Sequence, residues 1–324
     1  MRHRSLNRRT VLSAAAALLA PAALRAQGAG TYPARPVELV VPASAGGGTD
    51  ILARLFAESA RPHFAQTLTV LNKPGASATI GMGEIANARP DGYKIGMIVS
   101  ELAIMPHLGI GKFSPKDFRP IAGLNVDPAG ITVRADAPWA TLEEFLAAAK
   151  ARPGALRVGN SGAGSVFQFA AMTVENKVDV RFTHVPYQGA APSVLALLGG
   201  HIDAVAVSVA EASQHILSGK LRCLGVMSDK PLKGFEKVPT LKERGLDVQV
   251  SVWRGLAAPK GTTDAVVEVL RGMARKTAAE EAFRAGMERA NLGLVYSEAD
   301  AFAAMVQKDS DDFKRLIAAM DFKL

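Results

Sequence analysis

The sequence predicts an α/β protein of two lobes joined by two crossover strands. Three observations carry this. Strand, loop and amphipathic helix alternate over residues 37–99, the alternation restarts near Ala129 and runs to about Met227, and after Val250 one further strand is followed mostly by helices. Repeated alternation of this kind implies a mainly parallel sheet with helices on its faces. A chain that builds one set of units, then a second, then returns must cross between two bodies twice, and two crossings make a hinge. The expected first lobe comprises residues 27–128 and 252–324 and the second residues 129–251, with 127–130 and 249–254 as the hinge strands.

Each element has its own signal. Val37, Leu39, Val40 and Val41 form an apolar run ahead of a glycine-rich turn, and Thr49 and Asp50 are suited to cap a helix whose apolar residues Ile51, Leu52, Leu55 and Phe56 share one face. Residues 67–71 read as a strand, 72–75 as a turn, 80–87 as a helix and 94–99 as another strand. In the second series, 131–133 is a strand, and Thr141 with Glu144 forms a capping box for a helix ending near Ala151. Strand 157–160, a helix capped by Ser165, strand 182–185, helix 191–198 and strands 204–209 and 221–227 follow. Strand 250–257 then leads into helices over 263–277, 280–287 and 297–319.

The first 26 residues hold five arginines, no acid and an apolar run from Val11 to Leu19, which reads as an export signal cut after Ala26. Asn7, Arg8, Arg9, Thr10, Val11 and Leu12 resemble the twin-arginine pattern, with a general secretory signal carrying two chance arginines as the other reading. The apolar run is shorter than the roughly 20 residues that span a bilayer, so no membrane insertion of the mature chain is expected. Export alters the charge as well. The formal net charge of +8 falls to +3 once the signal is removed, 33 basic residues facing 30 acidic ones, and the electrostatic case for a nucleic-acid partner disappears. The single cysteine, Cys223, excludes a disulfide framework, a metal-type cysteine pair and a dithiol redox motif, and reads as a small buried side chain.

Two loops stand out as ligand sites. Ser44, Ala45, Gly46, Gly47 and Gly48 lie at the carboxyl end of a strand and before a helix, the position at which open α/β sheets bind ligands. Successive glycine N–H groups and the helix dipole favour an anion there, although the same glycines also suit a tight turn. The loop lacks the lysine of a phosphate P-loop, and its contiguous glycines followed by Asp50 do not match GxGxxG. Asn160, Ser161, Gly162, Ala163, Gly164 and Ser165 form a comparable loop in the second series, with Ser165 either a ligand donor or simply a cap. One such loop in each lobe suits a ligand with two acidic or polar ends. Position at strand ends adds Ser77, Ser100 with Glu101, Tyr187 with Gln188, and Ser208 with Glu211 as further cleft residues.

Catalytic constellations are missing. Gly159–Ala163 approaches the GxSxG elbow but ends in alanine, no serine has a lysine three residues later, and the six histidines show no HExxH or other close metal spacing. The chain is therefore expected to be no enzyme, with no cofactor and no metal; an exported hydrolase using Ser161 is the residual alternative.

The chain resembles the substrate-binding proteins of tripartite tricarboxylate transporters, the TctC or Bug family, over nearly all of its mature length. The resemblance rests on Tyr32 and Pro36 before strand 37–41; loop 42–50; Asn72, Lys73, Pro74, Gly75 and Ala76 with Gly81; Pro90, Asp91, Gly92 and Tyr93; Val185, Pro186, Tyr187, Gln188 and Gly189; Gly199, Gly200, His201, Ile202 and Asp203; Val238, Pro239, Thr240 and Leu241; and Trp253 with Ala258 and Pro259. It implies a two-lobed periplasmic binding protein (type II, Venus flytrap) that closes on a di- or tricarboxylate or related acid and delivers it to TctA/TctB-like membrane permease subunits, or presents it to a sensor kinase. It further implies that Ser44, Ala45, Gly46, Gly47 and Asp50, with Ser77 and Ala78, grip one carboxylate through backbone amides and ordered waters, while Ser161, Gly164, Ser165 and Tyr187 hold the other end. Ala43 stands where the family commonly has phenylalanine, and Ser77, Ala78 and Thr79 replace a glycine-rich stretch, so citrate is not carried over as the ligand.

Overall fold

A computed structural model describes residues 32–320. The export segment lies outside these residues. In chain order the elements are β1 (Val37–Val41), α1 (Gly48–Ser59), β2 (Leu68–Asn72), α2 (Thr79–Ala86), β3 (Lys94–Val99), β4 (Phe118–Arg134), α3 (Leu142–Ala151), β5 (Arg157–Asn160), α4 (Val166–Val178), β6 (Thr183–Pro186), α5 (Ala190–Leu198), β7 (Ala204–Ser208), α6 (Val209–Leu217), β8 (Leu221–Val226), β9 (Ser251–Pro259), α7 (Asp264–Ala279), α8 (Glu281–Arg289), β10 (Leu294–Glu298) and α9 (Ala299–Met320). The α/β alternation expected from the sequence is present.

Two groups of strands share β4. In the first, β1 pairs in parallel with β2 and β3, and β9 runs antiparallel between β3 and β4. In the second, β5 pairs in parallel with β6 and β7, and β7 and β8 both run antiparallel to β4. The 17-residue β4 gives residues 118–128 to β9 and residues 129–134 to β7 and β8, so the chain changes sheets between Pro128 and Ala129. The return crossing lies beside it. Ala129 N–H donates to Val250 O at 2.8 Å, Met227 N–H donates to Ala129 O at 2.7 Å, and Pro128 lies opposite Ser251.

Each sheet carries its own core. Leu39, Val41, Leu52, Phe56, Ile95, Met97, Leu256, Leu270 and Phe283 pack in the first, and Ile131, Phe145, Val158, Phe169, Leu197, Val205, Leu224 and Leu241 in the second. Burial of this much aliphatic and aromatic surface, about 1.5–3 kcal/mol for each large side chain, is what holds each body together. A smaller cluster of Val40, Met82, Ile98, Trp253 and Phe302 seats α2 and α9 on the first sheet. The end of α9 reaches over to the second body, where Phe313, Leu316 and Ile317 pack against its core.

Several local readings change. Thr49 and Asp50 do not cap α1, whose N-cap is Gly47 and which begins at Gly48. Their side chains turn elsewhere, Thr49 Oγ1 accepting from Arg254 Nε and Asp50 accepting from Gly46 N–H and Arg54. Strand β4 is far longer than residues 131–133, and β10 and α6 are additional elements. The Thr141–Glu144 capping box and the Ser165 cap form as the pattern predicts.

Candidate functional site

A cavity of about 360 Å³ lies where the carboxyl ends of the strands from both sheets face each other. Ser44, Gly47, Ser77, Ala78, Ser161 and Tyr187, all singled out in the sequence, line it together with Gln188, Glu101 and Glu211. The walls close over it through cross-cleft hydrogen bonds. Ser77 Oγ donates to Ala163 O at 2.6 Å, and Ser44 Oγ donates to the Gln188 carbonyl.

The backbone around the cavity follows from its small residues. Gly75, Ala76, Ser77 and Ala78 have φ of +122°, +46°, +50° and +70°, a left-handed run that turns the chain sharply into α2. Three of these four are not glycine, and residues with a Cβ take up such a conformation at a cost of about 1–3 kcal/mol each. Gly162, at φ +144°, sits so close to Ser77 that a Cβ there would collide with the Ser77 hydroxyl. Loop 186–189 is fastened to the second-lobe glycine loop by Tyr187 N–H to Asn160 O and Gly189 N–H to Ser161 O, each 3.2 Å. This presents the first turn of α5 to the cavity. Among the described residues the Ser161 hydroxyl has no protein hydrogen-bond partner, whereas the Tyr187 ring lies back against Gly159 on the Arg157 side and packs on the second core.

Other predicted residues sit behind this surface and hold it. The Asp50 carboxylate accepts from Gly46 N–H at 2.9 Å, Arg54 Nε at 3.0 Å and Asn72 Nδ2 at 2.9 Å, which ties the first glycine loop to β2. Burial works to raise its pKa, but Arg54, the Gly46 amide and Asn72 together hold the carboxyl below the ordinary aspartate value. Ser100 is fully buried and its Oγ accepts from Trp253 N–H at 2.8 Å. Ser165 Oγ accepts from Gln168 N–H at 3.3 Å, and Gly164 N–H donates to Gln168 Oε1 at 2.6 Å, so both serve the start of α4. Ser208 is fully buried at the end of β7, and Ala45 and Gly46 form the exposed outer turn of their loop.

The residue that sequence reading placed only at a hinge end is Arg254, 1% exposed and lining the cavity. Its guanidinium donates to Thr49 Oγ1 at 2.9 Å, Asp127 Oδ2 at 2.6 Å, Glu211 Oε1 at 2.9 Å and Asn125 Oδ1. Asp127 in turn accepts from Gly293 N–H at 2.7 Å. An arginine is suited to this because its planar fork keeps its charge and satisfies several acceptors at once. Two carboxyls face the cavity from opposite lobes. Glu211, on α6, accepts the Gly48 N–H at 2.8 Å, and Glu101, just after β3, accepts the Val166 N–H at 3.4 Å. Each thus sits at a helix N-terminus of the opposite lobe. Burial pushes both carboxyls above the ordinary glutamate value, with Arg254 and the backbone amides opposing the shift in part.

No lysine or histidine lines the cavity, and among the described residues no group of three His, Cys, Asp or Glu side chains is placed to hold a metal. Ser161 therefore lies in a cavity without a histidine base. What the arrangement offers is a set of hydroxyls, amide groups and helix ends in a partly apolar cleft. No helix among the described residues is long and apolar enough to cross a membrane.

A family model, "Tripartite tricarboxylate transporter family receptor" (TctC), matches residues 52–322. A TctC solute-binding protein from Polaromonas, solved with no ligand, is 51% identical, with a TM-score of 0.68 over 89% of this chain and 100% of that one. The periplasmic binding protein BugD is 31% identical, with a TM-score of 0.85 over 89% of this chain and 98% of its own. MatC from Rhodopseudomonas palustris, solved with bound malate, is 26% identical, with a TM-score of 0.82 over 88% of this chain and 100% of its own.

Proposed function

The chain belongs to the tripartite tricarboxylate transporter receptor family, whose members are solute-binding proteins and not enzymes, and from that premise we propose that it captures a small organic carboxylate between its lobes and delivers it to TctA/TctB-like permease subunits. The segment 1–26 would export it, twin-arginine fashion, to the periplasm, the compartment in which the structural neighbour BugD is found. The acid is a di- or tricarboxylate or a related molecule, malate being the ligand of the neighbour MatC.

The observation that carries this reading is the convergence in one cavity of the uncommitted Ser161 hydroxyl, loop 186–189, the first turn of α5 and the left-handed turn Gly75–Ala78. A carboxylate there is met by O–H and N–H donors and by the positive end of a helix dipole. Each charge-assisted hydrogen bond is worth about 1.5–3 kcal/mol, so a few of them, less the cost of closure, reach the roughly 8 kcal/mol of micromolar binding. Lobe movement is consistent with the comparisons, since the unliganded chain at 51% identity superposes less well than the malate-bound chain at 26%. Glycine loops, serines and the two crossings at 128–129 and 250–251 then act together as a trap and its hinge.

A thermal-shift screen of the mature protein against some 100 organic acids, each hit paired with its ester, tests the proposal. Ligand that binds only the native state raises the melting temperature in a saturable way. A rise with an acid and none with its ester is expected; a rise with sugars or cations only would remove the carboxylate.

A further inference from the structure

The charges that face the cleft do not balance. Arg254 is its one cation among the described residues, and that guanidinium already serves Asp127 and Glu211 as well as Thr49 and Asn125. Glu101 is then a third carboxyl, 6% exposed and lining the same cavity. Its partners are amides only, its own N–H and that of Val166 at the long distance of 3.4 Å. Arg254 favours its charge from a distance but makes no hydrogen bond to it; a buried carboxyl with no charged or strong hydrogen-bond donor is costly, and a ligand carboxylate placed against it would add like charge to like. Burial pushes this carboxyl above the ordinary glutamate value, and Arg254 and the amides oppose that shift only in part.

We propose that the ligand supplies what Glu101 lacks: it is an organic acid with one carboxylate and, at its other end, an amide or ammonium nitrogen whose N–H donates to the Glu101 carboxylate. This rests on the reading of the cleft as a carboxylate site and narrows it. The carboxylate end lies toward Ser161, Tyr187 and α5, and the nitrogen end toward Glu101, beside the apolar walls given by Val99, Phe167 and Val252. A simple diacid offers Glu101 no donor unless a proton is taken up with it.

The test is isothermal titration of succinate, glutarate and adipate, each with its half-amide and with the ω-amino acid of the same chain length, into wild type and Glu101→Gln. In wild type at pH 8 the nitrogen-bearing member of the best series should bind at least about tenfold more tightly than its diacid, and Glu101→Gln should bring the two within about threefold. The wild-type ratio decides by itself should Glu101→Gln not fold. A diacid that binds as tightly as its half-amide, with the uptake of one proton read from the buffer dependence of the heat, overturns the assignment to Glu101 and leaves the carboxylate cleft standing. Failure of every acid, half-amide and amino acid to bind overturns both readings.

Discussion

The carboxylate of Glu211, carried by α6 of the second lobe, accepts the N–H of Gly48 at the first turn of α1 in the first lobe, 2.8 Å away. Its other oxygen accepts from Arg254 at 2.9 Å. The helix end that the first glycine loop offers to an anion therefore already holds one, supplied by the protein across the cleft. The ligand carboxylate is left to the α5 end and the Gly75–Ala78 turn, and Glu211 becomes a contact that keeps the lobes together.

Glu211→Ala removes that contact and leaves Arg254 with Asp127 as its single carboxylate. Breaking a buried charge pair costs about 3–5 kcal/mol, and the residual Asp127 partner should place this variant near the lower end. A urea unfolding curve should show the midpoint falling with its slope unchanged. Glu211→Gln keeps an acceptor for Gly48 and should lose about half as much.

Stability should respond to pH through Glu101. Its carboxyl titrates above the ordinary value of 4.5 in the folded state because burial disfavours the charge. The folded protein thus holds this proton more tightly than the unfolded chain, and the stabilisation it gives is complete below about pH 4.5 and is lost as pH rises through the folded value. Asp50 has the opposite sign, its folded pKa being lowered, and its contribution is lost as pH falls. Glu101→Gln, which never ionises, should gain in melting temperature relative to wild type between pH 5 and pH 8. A constant difference across that range would show that Glu101 does not titrate there.

Much of the fold was legible because its punctuation is local. Strands 37–41, 94–99 and 157–160 are bounded by turn residues, and the Thr141–Glu144 box marks the start of α3 by chemistry that lies within four residues. Strand β4 was legible only from residue 127 onward, as hinge strand 127–130 and strand 131–133, since Pro120 and Asn125 interrupt the apolar pattern before it; in the structure Asn125 and Asp127 accept from Arg254. Strand β10 is a half-exposed edge with little alternation, and α6 follows β7 with no intervening loop. The same limit applies to the site. Position at strand ends found Ser161 and Tyr187 but does not separate them from Ser100 and Ser165, whose hydroxyls serve Trp253 and Gln168. Arg254 meets partners 127 and 43 residues away, a relationship that no local pattern encodes.

Cys223 is 6% exposed, its thiol reaches the Gly225 carbonyl at 3.5 Å, and burial pushes its pKa up to about 11. A thiol reagent at pH 8 should find no reactive group in the native protein and one per chain in denaturant. Ready reaction of the native protein would place Cys223 outside the second body's packing.

The paired hydroxyls at the mouth should set the ease of closure. Ser44→Ala with Ser77→Ala removes the donors to Gln188 O and Ala163 O without disturbing either core. Two neutral hydrogen bonds at about 0.5–1.5 kcal/mol each predict affinity weaker by roughly 5- to 150-fold, carried mainly by faster release. Stopped-flow displacement of the bound acid reads that rate directly. An unchanged dissociation rate would mean that the mouth does not depend on these serines.

The proposed carboxylate position, at the α5 end and the Gly75–Ala78 turn, lies beside Gly47, where a Cβ would sit 3.9 Å from Ala191 of α5. Isothermal titration of the best acid into wild type and Gly47→Glu tests it most directly, because Gly47 lines the cavity at a φ of −82° open to any residue, and a Cβ there would lie 3.4 Å from Glu211 Oε2. One site per chain is expected in wild type, with a loss of at least about a hundredfold in affinity in the variant from bulk and like charge in the path of the acid. Equal affinity in a folded Gly47→Glu would contradict this position and move the ligand elsewhere.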